Sequence, residues 1–322
     1  MFEVTFWWRD PQGSEGHSAI KRVWVYITGM TDHHQNSQPR SMQRIAGTDV
    51  WQWTTQLNAN WRGSYCFIPT ERDDIFSAPS PDRLELREGW RKLLPQAIAD
   101  PLNPQSWKGG RGHAVSALEM PQAPLQPGWD CPQAPETPAK EISVWKSERL
   151  KNSRRVWIFT IGDATAEERP LAVLLDGEFW AQSMPVWPAL TSLTHRRQLP
   201  PAVYVLIDAI DTTHRAHELP CNADFWLAVQ QELLPQVKAI APFSDRADRT
   251  VVAGQSFGGL SALYAGLHWP ERFGCVLSQS GSYWWPHRGG HQEGMLLEQL
   301  KTGEVSAPKV CALCWKRVFA SR

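Results

Sequence analysis

The sequence predicts two domains of different class, an antiparallel β-sandwich followed by an α/β sheet that carries a nucleophile. Three observations predict it. Apolar residues recur at every second position up to about Pro69, strand patterns alternate with helical ones after Glu141, and a proline-rich segment separates the two regimes. A chain of 322 residues also exceeds what one core usually organises. The expected boundaries are 1–120 for the sandwich, 121–140 for a linker, 141–307 for an incomplete α/β domain and 308–322 for an atypical tail.

In the first region Val4, Phe6 and Trp8, then Val23, Val25 and Ile27, then Trp51 and Trp53, then Tyr65 and Phe67 alternate with polar residues, and Gly, Asn and Asp punctuate the gaps. Prolines 79, 81, 95, 101 and 104 break the next stretch into short pieces, with one helical turn expected near Leu84 to Leu94. Pro121, Pro124, Pro127, Pro132, Pro135 and Pro138 stiffen the following segment towards polyproline II geometry, the signature of a semi-rigid spacer. Beyond it the strand candidates are Val144 to Ser147, Arg155 to Thr160, Leu171 to Asp176, Val203 to Asp208, Thr250 to Ala253 and Gly274 to Ser278, several of them continuous apolar runs as in buried parallel strands. A helix is expected from an Asn222 cap to Val237, with Phe225, Trp226, Val229 and Leu233 on one side. Ligands of such sheets bind at the carboxyl ends of the strands, where Asp176, Asp208 and Ser256 fall.

The strongest local signal is Thr250-Val251-Val252-Ala253-Gly254-Gln255-Ser256-Phe257-Gly258-Gly259-Leu260. A β-branched run leads into Gly-x-Ser-x-Gly, and Leu260, Leu263, Tyr264 and Leu267 begin a helix at once, the context of a nucleophile elbow. Gly254 and Gly258 are expected to lack the Cβ atoms that would clash where strand and helix meet. The Phe257 amide at the helix start would donate to an oxyanion, with a second donor from Leu175-Asp176-Gly177-Glu178-Phe179-Trp180, where Gly177 allows close backbone approach. Arg215, on the same rim, has two readings: a clamp for an anionic or catecholate substrate, or a surface arginine paired with Glu218.

Composition narrows the function classes. Lys plus Arg and Asp plus Glu are 33 each, so net charge is zero, with no run of like charges to suggest a nucleic-acid groove or an anionic membrane surface. The N-terminal stretch lacks the basic and apolar regions of a leader, and the expectation is a cytoplasmic protein. Six scattered cysteines suit reduced thiols, and no cofactor or metal is expected; Cys311-x-x-Cys314 alone is too few ligands for a metal. Eighteen Trp exceed what a core of this size needs, so some are expected to line a site for a flat aromatic ligand.

Gly254-Gln255-Ser256-Phe257-Gly258-Gly259, the Leu-Leu-Asp-Gly-Glu-Phe-Trp loop at 174 to 180, the stretch from Arg215 to Pro235 and the Trp-rich N-terminal region together resemble the enterochelin (ferric enterobactin) esterases, from residue 1 to about Ala307. The resemblance implies an immunoglobulin-like domain before an α/β-hydrolase domain, and cytoplasmic hydrolysis of the triserine trilactone of a ferric siderophore. It implies Ser256 as nucleophile; Arg215, Trp180, His287 and Arg288 are the expected substrate contacts, with Arg196 and Arg197 as alternatives. It also implies an acid and a histidine-bearing loop late in the chain. The 66 residues after Ser256 contain no Asp, and their histidines are His268, His287 and His291. We therefore expect the base segment to be missing, through truncation or a frameshift near Ala307. The alternatives are a siderophore-binding remnant without catalysis and a general carboxylesterase.

Overall fold

The structure is a computed structural model that describes residues 1–27, 30–31, 37–76, 83–108, 113–129, 139–287, 293–305 and 311–312. It divides into two compact units, Met1–Leu125 and Gln126–Arg322. The division falls inside the expected linker segment.

The first unit holds two sheets. Strands β1 (Phe2–Arg9), β4 (Gln43–Arg44) and β5 (Val50–Leu57) form an antiparallel sheet in the order β1-β5-β4; β2 (Arg22–Ile27), β3 (Arg40–Ser41), β6 (Arg62–Thr70), β7 (Ser106–Lys108) and β8 (Ala114–Glu119) form a second in the order β3-β2-β6-β8-β7. Phe6, Trp8, Val23, Val25, Ile27, Trp51, Tyr65 and Phe67 make one core, drawn from alternate positions of both sheets as the period-two pattern requires. The intervening residues of β2 and β6, Trp24, Tyr26, Cys66 and Ile68, are buried too, against Trp90 and Leu93. Those two belong to α1 (Arg83–Leu93), a helix of 11 residues rather than the single expected turn. Leu86, Trp90 and Leu93 recur at helical spacing and are buried, so burial stabilises three turns that local propensity alone leaves marginal.

The second unit is a mixed seven-stranded sheet in the order β15-β14-β13-β11-β12-β10-β9. Its strands are β9 (Ala139–Ser147), β10 (Asn152–Ile161), β11 (Leu171–Leu175), β12 (Ala202–Ile207), β13 (Thr250–Gln255), β14 (Cys275–Gln279) and β15 (Cys311–Ala312). The pairs from β12 to β15 are parallel, whereas β9, β10 and β12 pair antiparallel. This mixed sheet with helices is consistent with an α/β hydrolase. All six residues of β12 are buried, as a strand covered on both faces must be.

Helices α2 (Trp187–His195), α3 (Thr212–Glu218), α4 (Ala223–Ala228), α5 (Leu234–Ile240), α6 (Phe257–His268) and α7 (Met295–Thr302) complete the unit. Asn222 caps α4 as expected, its side chain accepting from the Phe225 amide at 3.1 Å. The helix then continues past Val237 to Ile240, through a π-helical turn over Val229–Leu233. Pro235 has no N–H for the carbonyl one turn earlier, and the wide turn before it absorbs the break. Among the described residues no disulfide joins Cys66, Cys221 or Cys275, and burial pushes the Cys66 and Cys221 thiols up to about 12.

Candidate active site

β13 and α6 meet at Ser256, whose φ of 55° and ψ of −119° place a non-glycine residue in strained backbone. Such residues cost on the order of 1–3 kcal/mol and persist where their surroundings over-determine them. Here the surroundings are three backbone hydrogen bonds: Ser256 N donates to Gln279 O at 3.0 Å, while Ser256 O accepts from Leu260 N and from Ser282 N, each at 3.0 Å. Ser256 itself is exposed. A Cβ on Gly254 would lie 2.4 Å from the carbonyl carbon of Gly258, so strand and helix touch there. A Cβ on Gly258 would meet nothing closer than 3.4 Å, whereas on Gly259 it would lie 2.9 Å from Ser278 Oγ. The expectation that Gly258 is needed for its own missing Cβ is therefore corrected: the tight positions are Gly254 and Gly259. Gly254→Ala is expected to destabilise the fold by about 1–3 kcal/mol in urea denaturation, as overpacking does. Gly258→Ala is expected to cost less, and equal losses would contradict this account of the elbow.

Asp176 follows β11 with a φ of 59°, and its carbonyl accepts the Phe179 and Trp180 amides at 3.1 and 3.4 Å. Gly177 is required by the neighbouring strand, since a Cβ there would sit 2.6–2.7 Å from backbone atoms of Leu206 and Ile207. Trp180 stands edge-on to Phe179, with centroids 4.7 Å apart, and is half-buried against the cluster of Trp157, Phe159 and Leu206.

Arg215, in α3, grips Asp176 with both arms of its guanidinium, Nε to Oδ1 at 2.5 Å and Nη2 to Oδ2 at 2.9 Å, and Nη2 also donates to Gln255 O at 3.2 Å. Of the two readings of Arg215, the pairing with Glu218 is not found. Glu218 turns inward to Arg154 Nη2 at 2.6 Å, and Arg215 ties the Asp176 loop to the elbow instead. Its guanidinium lies 5.8 Å from the centre of the Phe257 ring, whose other neighbour is Trp284 at 5.8 Å. Among the described residues Trp284 is exposed beside the elbow, whereas Trp8, Trp24, Trp51, Trp90, Trp145, Trp157 and Trp226 are buried core.

The histidines divide. His268 sits at the far end of α6, on the order of 18 Å of helix from Ser256, with Nε2 3.3 Å from Gln299 Oε1, so it is no base for Ser256. His287 is half-buried in the loop after β14; Arg288 and His291 lie outside the described residues. Among the described residues Ser256 Oγ makes its side-chain hydrogen bond with Ser282 Oγ, at 3.1 Å, and with no imidazole. Sequence reasoning missed Ser282, because a serine in Gln-Ser-Gly-Ser-Tyr reads as an ordinary turn. It also missed the pair Asp211 and His214, 2.8 Å apart at the start of α3, for which a cap three residues before a histidine was the available signal. The His214 amide, then its imidazole, hold the Asp211 carboxyl below the usual range. Among the described residues no His, Cys, Asp and Glu group could hold a metal ion, and no helix is long and apolar enough to cross a membrane.

A strained serine between a parallel strand and a helix, at the carboxyl edge of a mixed sheet, defines the class as esterase of the serine-hydrolase kind. Residues 3–129 match the family model described as "Enterochelin esterase, N-terminal", and residues 147–308 match the Esterase model. An iron(III) enterobactin esterase of Escherichia coli O6:H1 is 97% identical over 307 residues, covering 95% of this chain and 76% of the relative; that of E. coli K12 is 94% identical over the same shares. Among solved structures, the enterobactin esterase of Shigella flexneri in the presence of enterobactin superposes with a TM-score of 0.87 at 89% identity, covering 96% of this chain and 78% of that one. The ferric enterobactin esterase of Salmonella typhimurium superposes with a TM-score of 0.92 at 74% identity, covering 96% and 79%. The chain belongs to the enterochelin esterase family.

Proposed function

We propose that this chain is a serine esterase that hydrolyses the trilactone ester bonds of ferric enterobactin, releasing iron in the cytoplasm. The observation that carries the reading is Ser256, exposed at a strained elbow in a chain 97% identical to a named iron(III) enterobactin esterase. Ser256 Oγ attacks a lactone carbonyl, the oxyanion is met by the amides of Phe257 and Gly177, and the departing seryl oxygen leaves an acyl-enzyme that water cleaves. The Phe257 amide is a first-turn donor of α6, without an intrahelical partner, and the helix dipole adds to its pull on negative charge.

Trp284 and the Phe257 ring offer flat apolar surface to catechol rings, and Trp180 is proposed as a further contact. Arg215, with its side chain a quarter exposed at 26%, brings positive charge towards an anionic complex while Asp176 holds its fork. His287 and Arg288 are proposed as further substrate contacts. The N-terminal sheets are read as an immunoglobulin-like sandwich, a reading that the two-sheet core around Phe6, Trp51 and Phe67 supports. His287 and His291 are the candidates for a replacement base.

A second reading is favoured by one observation, that Ser256 Oγ meets a hydroxyl and no imidazole among the described residues. On that reading the chain binds the ferric siderophore without cleaving it. The test is to incubate the purified 322-residue chain with ferric enterobactin and separate the products by chromatography. The expected outcome is linear dihydroxybenzoylserine oligomers. Quenching of Trp fluorescence with no product would favour binding alone, and equal turnover of simple aryl esters would favour a general carboxylesterase.

A further inference from the structure

Behind the exposed nucleophile lies a second hydroxyl. Ser282 Oγ is 3.1 Å from Ser256 Oγ, yet Ser282 is only 4% exposed. The loop that carries it is fixed from both sides. Ser282 N donates to Ser256 O at 3.0 Å, and Ser282 O accepts from Trp285 N at 3.0 Å. Just before it Ser280 has a φ of 48°, and Ser278 Oγ joins Gly259 O at 2.8 Å to Tyr283 OH at 2.5 Å. This hydroxyl is built into the elbow from β14, not left on a free turn.

Either hydroxyl could donate in this pair, and burial favours Ser282 as the donor. A buried hydroxyl must place its proton on an acceptor, and among the described residues the acceptor within reach of Ser282 is Ser256 Oγ. The Ser256 hydroxyl is exposed, so its own proton is free to face a base. We propose that Ser282 is a positioning residue for the nucleophile: its O–H donates to Ser256 Oγ, fixes that oxygen on the reactive side of the elbow, and leaves the Ser256 proton available. Ser282 keeps its proton throughout. The Ser256 proton leaves to the base as the C–O bond forms and returns to Ser256 Oγ when the acyl bond breaks, with the Ser282 donor facing the oxygen as its charge grows.

The inference rests on the esterase reading, so its test has a readout that needs no siderophore. The rate at which a fluorophosphonate labels Ser256, located by mass spectrometry, is measured beside kcat and KM on ferric enterobactin for the wild-type chain, Ser282→Ala and Ser282→Thr. A hydrogen bond of about 1 kcal/mol corresponds to roughly fivefold. Ser282→Ala is expected to slow labelling and kcat by about fivefold with KM unchanged and thermal melting close to wild type, and Ser282→Thr to recover most of the loss. Should the added methyl group lower the melting temperature, Ser282→Cys, a weaker donor, is expected to fall between Ala and wild type. Labelling of Ser282→Ala at the wild-type rate overturns the proposal, as does a Thr or Cys variant that melts normally and labels as slowly as Ala. Wild-type labelling without siderophore turnover would instead overturn the substrate reading and leave the Ser282 comparison intact. A wild-type chain that the probe never labels overturns the proposal, because a nucleophile held ready would react.

Discussion

Ser256→Ala is expected to lower ferric enterobactin turnover by about 10³-fold or more, to a level set by whatever the oxyanion donors and binding contribute without a nucleophile. The size follows from the site. The strained elbow presents Ser256 Oγ and the Arg215 tie to Gln255 O holds the residue before it, so removing that oxygen leaves the site without a covalent step to assist. Binding is expected to persist, since the aromatic and cationic neighbours Trp284, Phe257 and Arg215 are untouched, so Trp quenching by the ferric siderophore measures the intact half of the function. His287→Ala and His291→Ala, assayed alongside, test whether either is a replacement base: such a variant falls nearly as far as Ser256→Ala, because nucleophile and base act as a unit, whereas wild-type turnover in both excludes them. A Ser256→Ala chain that retains wild-type turnover would remove Ser256 from the chemistry.

The elbow was legible in the sequence because two periodicities and a glycine agree within a dozen residues. A β-branched run must be a strand, Leu260 to Leu267 must be a helix face, and only a turn as tight as Gly254 allows can join them. What escaped depends on contacts distant in the chain. One of the two readings of Arg215 pairs it with Glu218, three residues on; the actual partner, Asp176, is 39 positions away, brought there because β11 and β12 pair in parallel and end on one rim. Ser282 lies 26 positions from Ser256 and has no local pattern to mark it. α1 was read as a single turn since its apolar residues are few, and its length depends on a sheet whose second face, at Trp24 and Tyr26, must also be covered. The Trp count carries no position, and among the described residues Trp8, Trp24, Trp51, Trp90, Trp145, Trp157 and Trp226 fill cores.

The side chains of Arg154 and Glu218, 1% and 6% exposed, carry the largest expected effect on stability. Arg154 also donates to Asn152 Oδ1 at 2.9 Å and to Asp208 O at 3.2 Å, and lies over the rings of Trp145 and Phe225 at 5.5 and 5.6 Å. Asn152 Nδ2 donates to the second Glu218 oxygen at 2.6 Å, so the carboxylate is held on both sides. Removing one partner strands a charge in an apolar site, and Arg154→Met or Glu218→Leu is each expected to cost about 3–5 kcal/mol, read as a shift in the urea midpoint. The double variant Arg154→Met/Glu218→Leu is expected to regain most of that loss, because two apolar side chains of similar volume need no compensation. Activity separates what stability cannot. Glu218 ends α3 one turn after Arg215, so each single variant loosens the helix that holds Asp176 beside the elbow, and kcat should fall with the urea midpoint and recover with it in the double variant. Single variants that cost under about 1 kcal/mol would mean that water reaches the pair and that α3 is anchored elsewhere.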